Sequence, residues 1–362
     1  MSRSTLITGG AGFVGTNVAK RLASAGRHVR ILDSLARSGS EDNIEWLCDH
    51  YPDNVEFVRG DVCDASVVRA AMTGIEHVYH FAAQVAVTTS LADPRADFDV
   101  NASGTLSVLE AIRTSASKPS LLYSSTNKVY GGLPDVIVQA RGSRYVPTDE
   151  RTRSNGIGST RRLDFHSPYG CSKGAADQYV LDYSRSFGLR TVVMRMSCIY
   201  GPHQHGNEDQ GWVAHFMRCA LSDAPVTVYG DGKQVRDVLF VEDLVDAFEL
   251  ARTNVAALSG HAFNMGGGPE NTLSVLELIE HVERITGGSL QVATGEWRVG
   301  DQRYYVSDTS SFRSATGWRA RVSVAEGLRA LCEWFEESGL LPESAHVRPF
   351  ATDRISAVGA TR

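Results

Sequence analysis

The segment Thr8–Gly15, TGGAGFVG, constrains the fold more than any other part of the sequence. It follows a short apolar run, precedes a stretch of helical length, and spaces its glycines as G-x-x-G-x-x-G. Such glycines permit a tight turn and let a diphosphate approach a helix N-terminus closely. The pattern alone can mark a plain turn, but its place between strand and helix predicts a dinucleotide site. The residues assigned to this cradle are Gly9, Gly12, Phe13, Val14 and Gly15.

Short apolar runs alternate with amphipathic stretches through the first half of the chain. The runs predicted as buried parallel strands are Thr5–Thr8, Val29–Asp33, Val55–Gly60, His77–Phe81, Leu121–Ser125 and Thr191–Arg195. The stretches predicted as helices between them include Gly12–Ala25, Ala65–Met72 and Asn101–Thr114. This alternation predicts an α/β fold with a doubly wound parallel sheet and helices on both faces.

A length of 362 residues favours two packed units. We predict a dinucleotide-binding domain over residues 1–195 and a smaller substrate lobe over 196–340, with chain elements crossing between them. Residues 341–362 form a tail with little periodicity, and residues 132–165 are predicted as a long polar loop. The helices expected in the second lobe are Leu273–Thr286 and Val324–Glu337.

Composition excludes several classes of function. A net charge of −6 gives no reason to expect nucleic-acid binding, and no apolar run is long enough to span a membrane. The six cysteines contain no C-x-x-C pair, and the N-terminus leads directly into a strand, which favours a reducing cytoplasm. We expect no metal site, and we interpret His203 and His205 as polar residues of a substrate loop.

An acidic residue ends the second strand. Asp33 stands where a carboxylate accepts hydrogen bonds from the adenine ribose and repels a 2′-phosphate, which favours NAD over NADP. Arg37, four residues later, could instead accommodate a 2′-phosphate, and Asp33 could be a simple capping residue. Asp61 and Val62 end the third strand, at the edge where the adenine would lie.

A hydroxyl, a phenol and an ammonium are expected in the same crevice. Thr126 ends the strand that begins at Leu121, and Tyr169 and Lys173 lie one turn apart if their segment is helical. Ligands of open α/β sheets bind beyond the carboxyl ends of the strands. Nearby positive charge, from Lys173 and from an oxidised nicotinamide, would lower the pKa of the phenol. Tyr169 is therefore predicted to be the base that removes an alcohol proton.

From Thr5 to about Trp334 the chain resembles the extended short-chain dehydrogenase/reductases that act on nucleotide sugars. The resemblance implies a Rossmann fold with a small sugar-nucleotide lobe, NAD as a tightly held cofactor, and catalysis by Tyr169, Lys173 and Thr126, with Ser125 as a further helper. It also implies pairing of two chains through a helix bundle, for which Asn101–Thr114 and Ala175–Phe187 are candidates. The further residues that it places at the cofactor are Phe81, Ala82, Ala83, Asn101, Ser124 and Met196.

Position 127 helps to separate the reactions of this family. Dehydratases carry Asp-Glu after the threonine, whereas this chain has Asn127-Lys128, which disfavours dehydration. Longer strings, among them Leu163–Tyr179 and Gly232–Leu239, resemble the subgroup that epimerises CDP-paratose and CDP-tyvelose at C2. The resemblance implies inversion through a transient 2-keto sugar. An epimerase acting at C4 or on a UDP, GDP or ADP sugar is the nearest alternative, and a non-catalytic dinucleotide sensor is a remote one.

The predicted substrate contacts lie mainly in the second half of the chain. Arg236 and Arg303 suit a diphosphate, because the guanidinium fork matches phosphate oxygens. The remaining candidates are Thr89, Ser90, Asn127, Lys128, Ser197, Gln210, Trp212 and Gln234.

Overall fold

The computed structural model describes residues 4–298 and 300–341. The strands within these ranges are β1 (Ser4–Thr8), β2 (Val29–Asp33), β3 (Val55–Arg59), β4 (Ile75–His80), β5 (Ser120–Thr126), β6 (Val138–Arg141), β7 (Arg144–Pro147), β8 (Thr191–Met196), β9 (Cys198–Tyr200), β10 (Val226–Tyr229), β11 (Val235–Phe240), β12 (His261–Met265), β13 (Thr272–Ser274), β14 (Val292–Gly295) and β15 (Tyr304–Tyr305).

The α-helices of the same ranges are α1 (Phe13–Ser24), α2 (Ser40–His50), α3 (Ala65–Ala71), α4 (Val87–Ala92), α5 (Pro94–Phe98), α6 (Gly104–Thr114), α7 (Glu150–Asn155), α8 (Ser167–Phe187), α9 (Trp212–Leu221), α10 (Val241–Thr253), α11 (Val255–Leu258), α12 (Val275–Thr286), α13 (Ser310–Thr316) and α14 (Val324–Glu337). A π-helical turn, Asp99–Ser103, joins α5 to α6, and a 3₁₀ turn, Asn127–Tyr130, follows β5.

The central sheet has seven parallel strands in the order β12-β8-β5-β4-β1-β2-β3. The chain runs outward from β1 to β3 on one side and from β4 on the other, so the strand order reverses between β1 and β4. A crevice opens at such a reversal, beyond the carboxyl ends of the strands. The predicted doubly wound Rossmann sheet is confirmed.

Apolar side chains cover both faces of this sheet. One face packs under α1 and α10 through residues such as Ile7, Leu22 and Phe248, and the other packs under α3, α6 and α8 through residues such as Val108 and Val180. Burial on both faces explains why β5, which is buried along its whole length, reads as a continuous apolar run that ends in hydroxyl residues.

The second lobe has its own core of residues from α9, α12, α14 and strand β11. Strand β11 pairs with β9 and β15 in parallel and with β13 antiparallel, and β10 pairs with β14. Reciprocal capping boxes begin α12 at Ser274 with Glu277 and α14 at Ser323 with Glu326, which satisfies backbone donors at both helix starts.

The structure corrects three details of the sequence interpretation. The predicted loop 132–165 contains the hairpin β6–β7 and helix α7, because its backbone pairs with itself and with the second lobe. Leu273 lies in β13, and the capping box at Ser274 sets the helix start at Val275. The segment Asn101–Thr114 begins with a π-helical turn. The division at 195 remains a proposal, with β12 joining the central sheet from beyond it, and the predicted tail lies outside the described residues from position 342 onward.

Candidate active site

The glycine turn between β1 and α1 leaves room for a ligand close to the backbone. Gly9 has φ +70°, and a Cβ there would lie 2.5 Å from the backbone nitrogen of Ala82. A Cβ on Gly15 would lie 2.4 Å from the carbonyl oxygen of Gly9, so α1 can pack against the turn only with glycine at this position. Gly12 precedes the first helical residue. A diphosphate at this helix start would be held by backbone N–H groups, so the cradle fits a dinucleotide.

Asp33 organises the turn from the end of β2. One carboxylate oxygen accepts a hydrogen bond from the N–H of Ala11 at 3.0 Å, and the other accepts from the N–H of Leu35 at 2.9 Å. Burial raises the pKa of Asp33, and the backbone donors and Arg37 oppose that shift. Asp33 thus ties the glycine turn to the loop that follows β2. Arg37 is exposed on that loop.

The other predicted cofactor residues lie at or after the carboxyl ends of β3, β4, β5 and β8 or begin α1. Asp61 is exposed and accepts from the N–H of Cys63, whereas Val62 is buried against Gly104. After β4, the side-chain oxygen of Asn101 accepts from the N–H of Gln84 at 2.9 Å. Phe81, Ala82 and Ala83 follow β4 and are half-buried. Phe13 and Val14 are the first two residues of α1. Ser124 donates a hydrogen bond to the carbonyl oxygen of His80, and Met196 is the last residue of β8.

Strand β5 and helix α8 bring the proposed catalytic groups together. Tyr169 and Lys173 lie on the buried side of α8, with exposed fractions of 8% and 3%. The ammonium of Lys173 donates to the carbonyl oxygen of Ser124 at 2.6 Å and lies 4.3 Å from the ring centre of Tyr123. The hydroxyl of Thr126 donates to the side-chain oxygen of Asn127 at 3.3 Å, and its proximity to Tyr169 favours the ionised phenol by lowering its pKa. Ser167, in the first turn of α8, has φ +62°, a backbone conformation that is rare for a residue with a Cβ.

The protein groups around the phenol do not by themselves lower its pKa, whereas the sequence prediction also counted the charge of an oxidised nicotinamide. Burial raises the pKa of Tyr169 to about 12, and Asp97 adds to this rise, while Thr126 and Arg37 oppose it. Burial also lowers the pKa of Lys173 to about 7, against the opposing effects of Asp177 and Asp97. A cation beside the phenol would favour phenolate, and an oxidised nicotinamide carries that charge.

Ser125 donates to Asp177 at 2.7 Å rather than pointing to the crevice with a free hydroxyl. Asp177 also accepts two hydrogen bonds of 2.9 Å from the guanidinium of Arg195, whose other nitrogen donates to Tyr130 at 3.1 Å. This buried network fixes α8 against β5 and β8, directly below Thr126. Sequence reasoning missed Asp177, Arg195 and Tyr130 because no local pattern links them.

Two cations converge on the second-lobe side of the crevice. A nitrogen of Arg236 lies 2.6 Å from a carboxylate oxygen of Asp301, and Lys128 donates to the carbonyl oxygen of Gly300 at 3.4 Å. Burial lowers the pKa of Lys128, and the nearby Arg236 lowers it further while Asp301 raises it. Two cations beside one carboxylate leave a positive charge, which suits a diphosphate. Cys198 lies near both cations, a neighbour that the sequence did not indicate.

The other predicted substrate residues differ in their surroundings. Ser197 donates to Asp237, the indole N–H of Trp212 donates to the sulfur of Cys198 at 3.4 Å, and Gln234 donates to the carbonyl oxygen of Tyr229 at 2.9 Å. Arg303 is exposed, with its guanidinium between the rings of Tyr145 and Trp297. Asn127 and Ser90 are buried, whereas Thr89 and Gln210 are exposed.

The histidine pair packs against aromatic rings. His203 lies 4.5 Å from Trp46 and 5.5 Å from Trp334 between ring centres, and burial lowers its pKa to about 4. Within residues 4–298 and 300–341 no group of three or more histidine, cysteine or acidic side chains is arranged to hold a metal ion. In the same part of the chain, no helix combines the length and the apolar character that a membrane crossing requires.

Comparison with known protein families identifies the family to which this chain belongs. Residues 5–266 match the model of the NAD dependent epimerase/dehydratase family, and the chain belongs to that family. The membership confirms the predicted resemblance to extended short-chain dehydrogenase/reductases, the predicted enzyme class and the predicted use of NAD.

Individual relatives refine the comparison. CDP-paratose 2-epimerase of Salmonella typhi is 43% identical over 91% of this chain and 98% of its own length. UDP-glucose 4-epimerase of Mycolicibacterium smegmatis is 32% identical over 91% of this chain and 98% of its own length. The crystal structure of Thermus thermophilus UDP-glucose 4-epimerase in complex with NAD superposes with a TM-score of 0.78, at 32% identity, covering 92% of this chain and 99% of that one.

Proposed function

We propose that the chain is a redox-neutral, NAD-dependent isomerase that inverts C2 of a CDP-linked hexose of the paratose or tyvelose type. The observation that carries the proposal is the convergence of Tyr169, Lys173 and Thr126 at the carboxyl edge of the sheet, opposite the cations Lys128 and Arg236. The homology to CDP-paratose 2-epimerase over nearly the whole chain supports the choice of sugar carbon and of nucleotide.

The proposed reaction needs a base that later acts as an acid. Tyr169 takes the proton of the C2 hydroxyl and returns it after the sugar has turned over, with Thr126 beside the phenol and favouring its ionised form. Lys173 supplies positive charge near the base and is held by the carbonyl of Ser124. NAD, when bound, would supply both the acceptor and the donor of the C2 hydride, so the reaction would have no net oxidation.

The cofactor is expected to stay bound. Backbone N–H groups of the glycine turn would hold its diphosphate, and Asp33 would accept hydrogen bonds from the adenine ribose. The flat 2-keto sugar must turn over while its nucleotide stays fixed. Arg236, anchored by Asp301, and Lys128 would therefore hold the substrate diphosphate, and few strong contacts should restrain the sugar.

A panel of nucleotide hexoses tests the proposal. The purified chain, without added NAD, is incubated with CDP-, UDP-, GDP- and ADP-hexoses, and product configuration and hydrogen exchange are followed by NMR. We expect inversion at C2 of a CDP-hexose, without any rise in the absorbance of NADH. Inversion at C4, or turnover of a UDP, GDP or ADP sugar only, would contradict the proposal and support the alternative epimerase. The homology to UDP-glucose 4-epimerase favours that alternative. Stoichiometric build-up of NADH would indicate a dehydrogenase.

We further propose a cytoplasmic homodimer formed through α8. The support is an exposed aromatic row on this helix, in which Tyr179 and Phe187 are 50% and 49% exposed and Tyr183 contacts both rings. Six cysteines without a disulfide suit a reducing compartment. The double variant Tyr179→Glu and Phe187→Glu should show half the molecular mass of the parent in analytical ultracentrifugation. An unchanged mass would reject this interface.

A further inference from the structure

A buried carboxylate that the proposed reaction does not use lies behind the catalytic helix. Asp97, in α5, is 1% exposed. Its two oxygens accept hydrogen bonds from the hydroxyl of Ser172 and, at 3.2 Å, from the side-chain nitrogen of Asn101. Taking a carboxylate out of water is costly unless such partners compensate it. Ser172 is the residue next to Lys173 in α8 and lies three residues after Tyr169.

The hydrogen bonds of Asp97 join three elements that meet at the crevice. Asn101 donates to Ser172 as well, at 3.1 Å, and accepts from the N–H of Gln84 in the loop after β4. The π-helical turn Asp99–Ser103 contains Asn101, and such turns occur often at functional sites. Asp97 therefore fixes α8 relative to the loop that faces the dinucleotide.

We propose that Asp97 is a positioning residue that holds the Tyr169–Lys173 pair in place through Ser172 and sets the charge that this pair faces. The inference rests on the proposed function, in which Tyr169 is the base.

The charged groups around the pair give the sign of the effect. Asp97 favours the ammonium of Lys173 and opposes the phenolate of Tyr169, and so raises the pKa of both. Asp177, in α8, also favours the ammonium, whereas Arg37, from the loop after β2, favours the phenolate. His80, in β4, is held neutral because burial lowers its pKa to about 3. Removing the charge of Asp97 should make the phenolate form at lower pH.

The test compares Asp97→Asn with Ser172→Ala in the NAD-loaded protein. The first variant removes the charge and keeps a hydrogen-bonding side chain, whereas the second removes the hydroxyl and keeps the charge. We expect the acidic limb of the turnover profile against pH to move down by about one to two units in Asp97→Asn, as for a charge about 6 to 12 Å away at an effective dielectric constant near 20. In Ser172→Ala the carboxylate of Asp97 loses one hydrogen bond that favours its charge, so the limb should move less than in Asp97→Asn, while turnover should fall at every pH.

An ultraviolet titration of the phenol separates this inference from the proposed function. The difference between each protein and its Tyr169→Phe counterpart reports the ionisation of Tyr169 without any sugar. A lower midpoint in Asp97→Asn would support the role of Asp97 even if no CDP-hexose were turned over. An unchanged midpoint with an unchanged pH limb would overturn it. If Asp97→Asn does not fold, Asp97→Glu, which keeps the charge, should fold and retain the parental midpoint, and a shifted midpoint there would also reject the inference.

Discussion

The catalytic edge of the sheet and the second lobe differ in whether their buried polar side chains have hydrogen-bond partners within the protein. At the sheet edge Ser125, Asp177 and Arg195 satisfy one another inside the protein. In the second lobe, the buried side-chain carbonyls of Gln234 and Gln302 have no partner within the described residues. Buried polar groups are normally paired, so such groups call for an explanation. Ser125, Asp177 and Arg195 are thus held by the protein itself, whereas Gln234 and Gln302 can each accept a further hydrogen bond. The central sheet also has atoms that are unpaired in the described part of the chain, the hydroxyl of Tyr123 and a ring nitrogen of His77.

The largest loss of turnover is expected from a substitution at the catalytic edge of the sheet. Tyr169→Phe removes the phenolic oxygen and keeps the ring in its 8% exposed position, so packing should persist. We expect turnover to fall by about 10³-fold, within the range of general acid–base contributions. Epimerisation measured by NMR checks this, with bound NAD counted in the same sample. Undiminished turnover would show that the base lies elsewhere.

Lys173 should reveal its burial in the pH dependence of stability. Its folded-state pKa, about 7, lies below the ordinary value of 10.5, so the unfolded chain binds more protons between these values. The contribution of Lys173 to the free energy of unfolding therefore rises with pH through this window, and is least favourable below pH 7. Between pH 7 and 9 the stability difference between the parent and Lys173→Met should grow by on the order of 2 kcal/mol.

Urea unfolding of both proteins at several pH values measures that difference, and other titrating groups cancel in the comparison. Lys118→Met is the matched control, since that lysine lies in an exposed loop and should give a flat difference. A flat line for Lys173→Met as well would mean that the ammonium is stabilised fully by Ser124 and Tyr123.

The sequence predicted the parts of the site that depend on short-range patterns. The glycine turn, Asp33 at the end of β2, and the spacing of Tyr169 and Lys173 on one helix face each follow from a few adjacent residues. The central strands were predictable for the same reason, since burial on both faces produces continuous apolar runs.

The missed parts depend on contacts between distant residues. Asp97 meets Ser172 across 75 positions, and a single acid inside a helix gives no signal of such a partner. The hairpin β6–β7 is short and polar, and it is fixed by the second lobe. Arg144 pairs with Glu277, and the backbone N–H of Tyr145 donates to the carbonyl of Lys233.

A smaller effect, on KM rather than on turnover, is expected from a substitution in the second lobe. Gln234→Leu removes the unpaired carbonyl and leaves the carbonyl of Tyr229 without its donor. If the glutamine contacts the nucleotide, KM should rise by about tenfold with turnover retained, as for the loss of one hydrogen bond that is equal in ground and transition states. Initial rates over a range of substrate concentrations measure this. Gln291→Leu, at an exposed position of the second lobe that is not a predicted substrate contact, is the control, and equal KM values in both variants would place the nucleotide elsewhere.

The smallest effect distinguishes a positioning hydroxyl from a reacting one. Ser125 donates its hydrogen bond to Asp177, which keeps two bonds to Arg195 when that hydroxyl is removed. Ser125→Ala should therefore lower the free energy of unfolding by about 1 kcal/mol and change turnover by less than about tenfold. Urea denaturation and NMR rates on one preparation give both numbers. A loss of turnover near that of Tyr169→Phe, without a loss of stability, would move Ser125 into direct contact with the sugar, and the sheet edge would then also hold hydrogen bonds in reserve for its ligand.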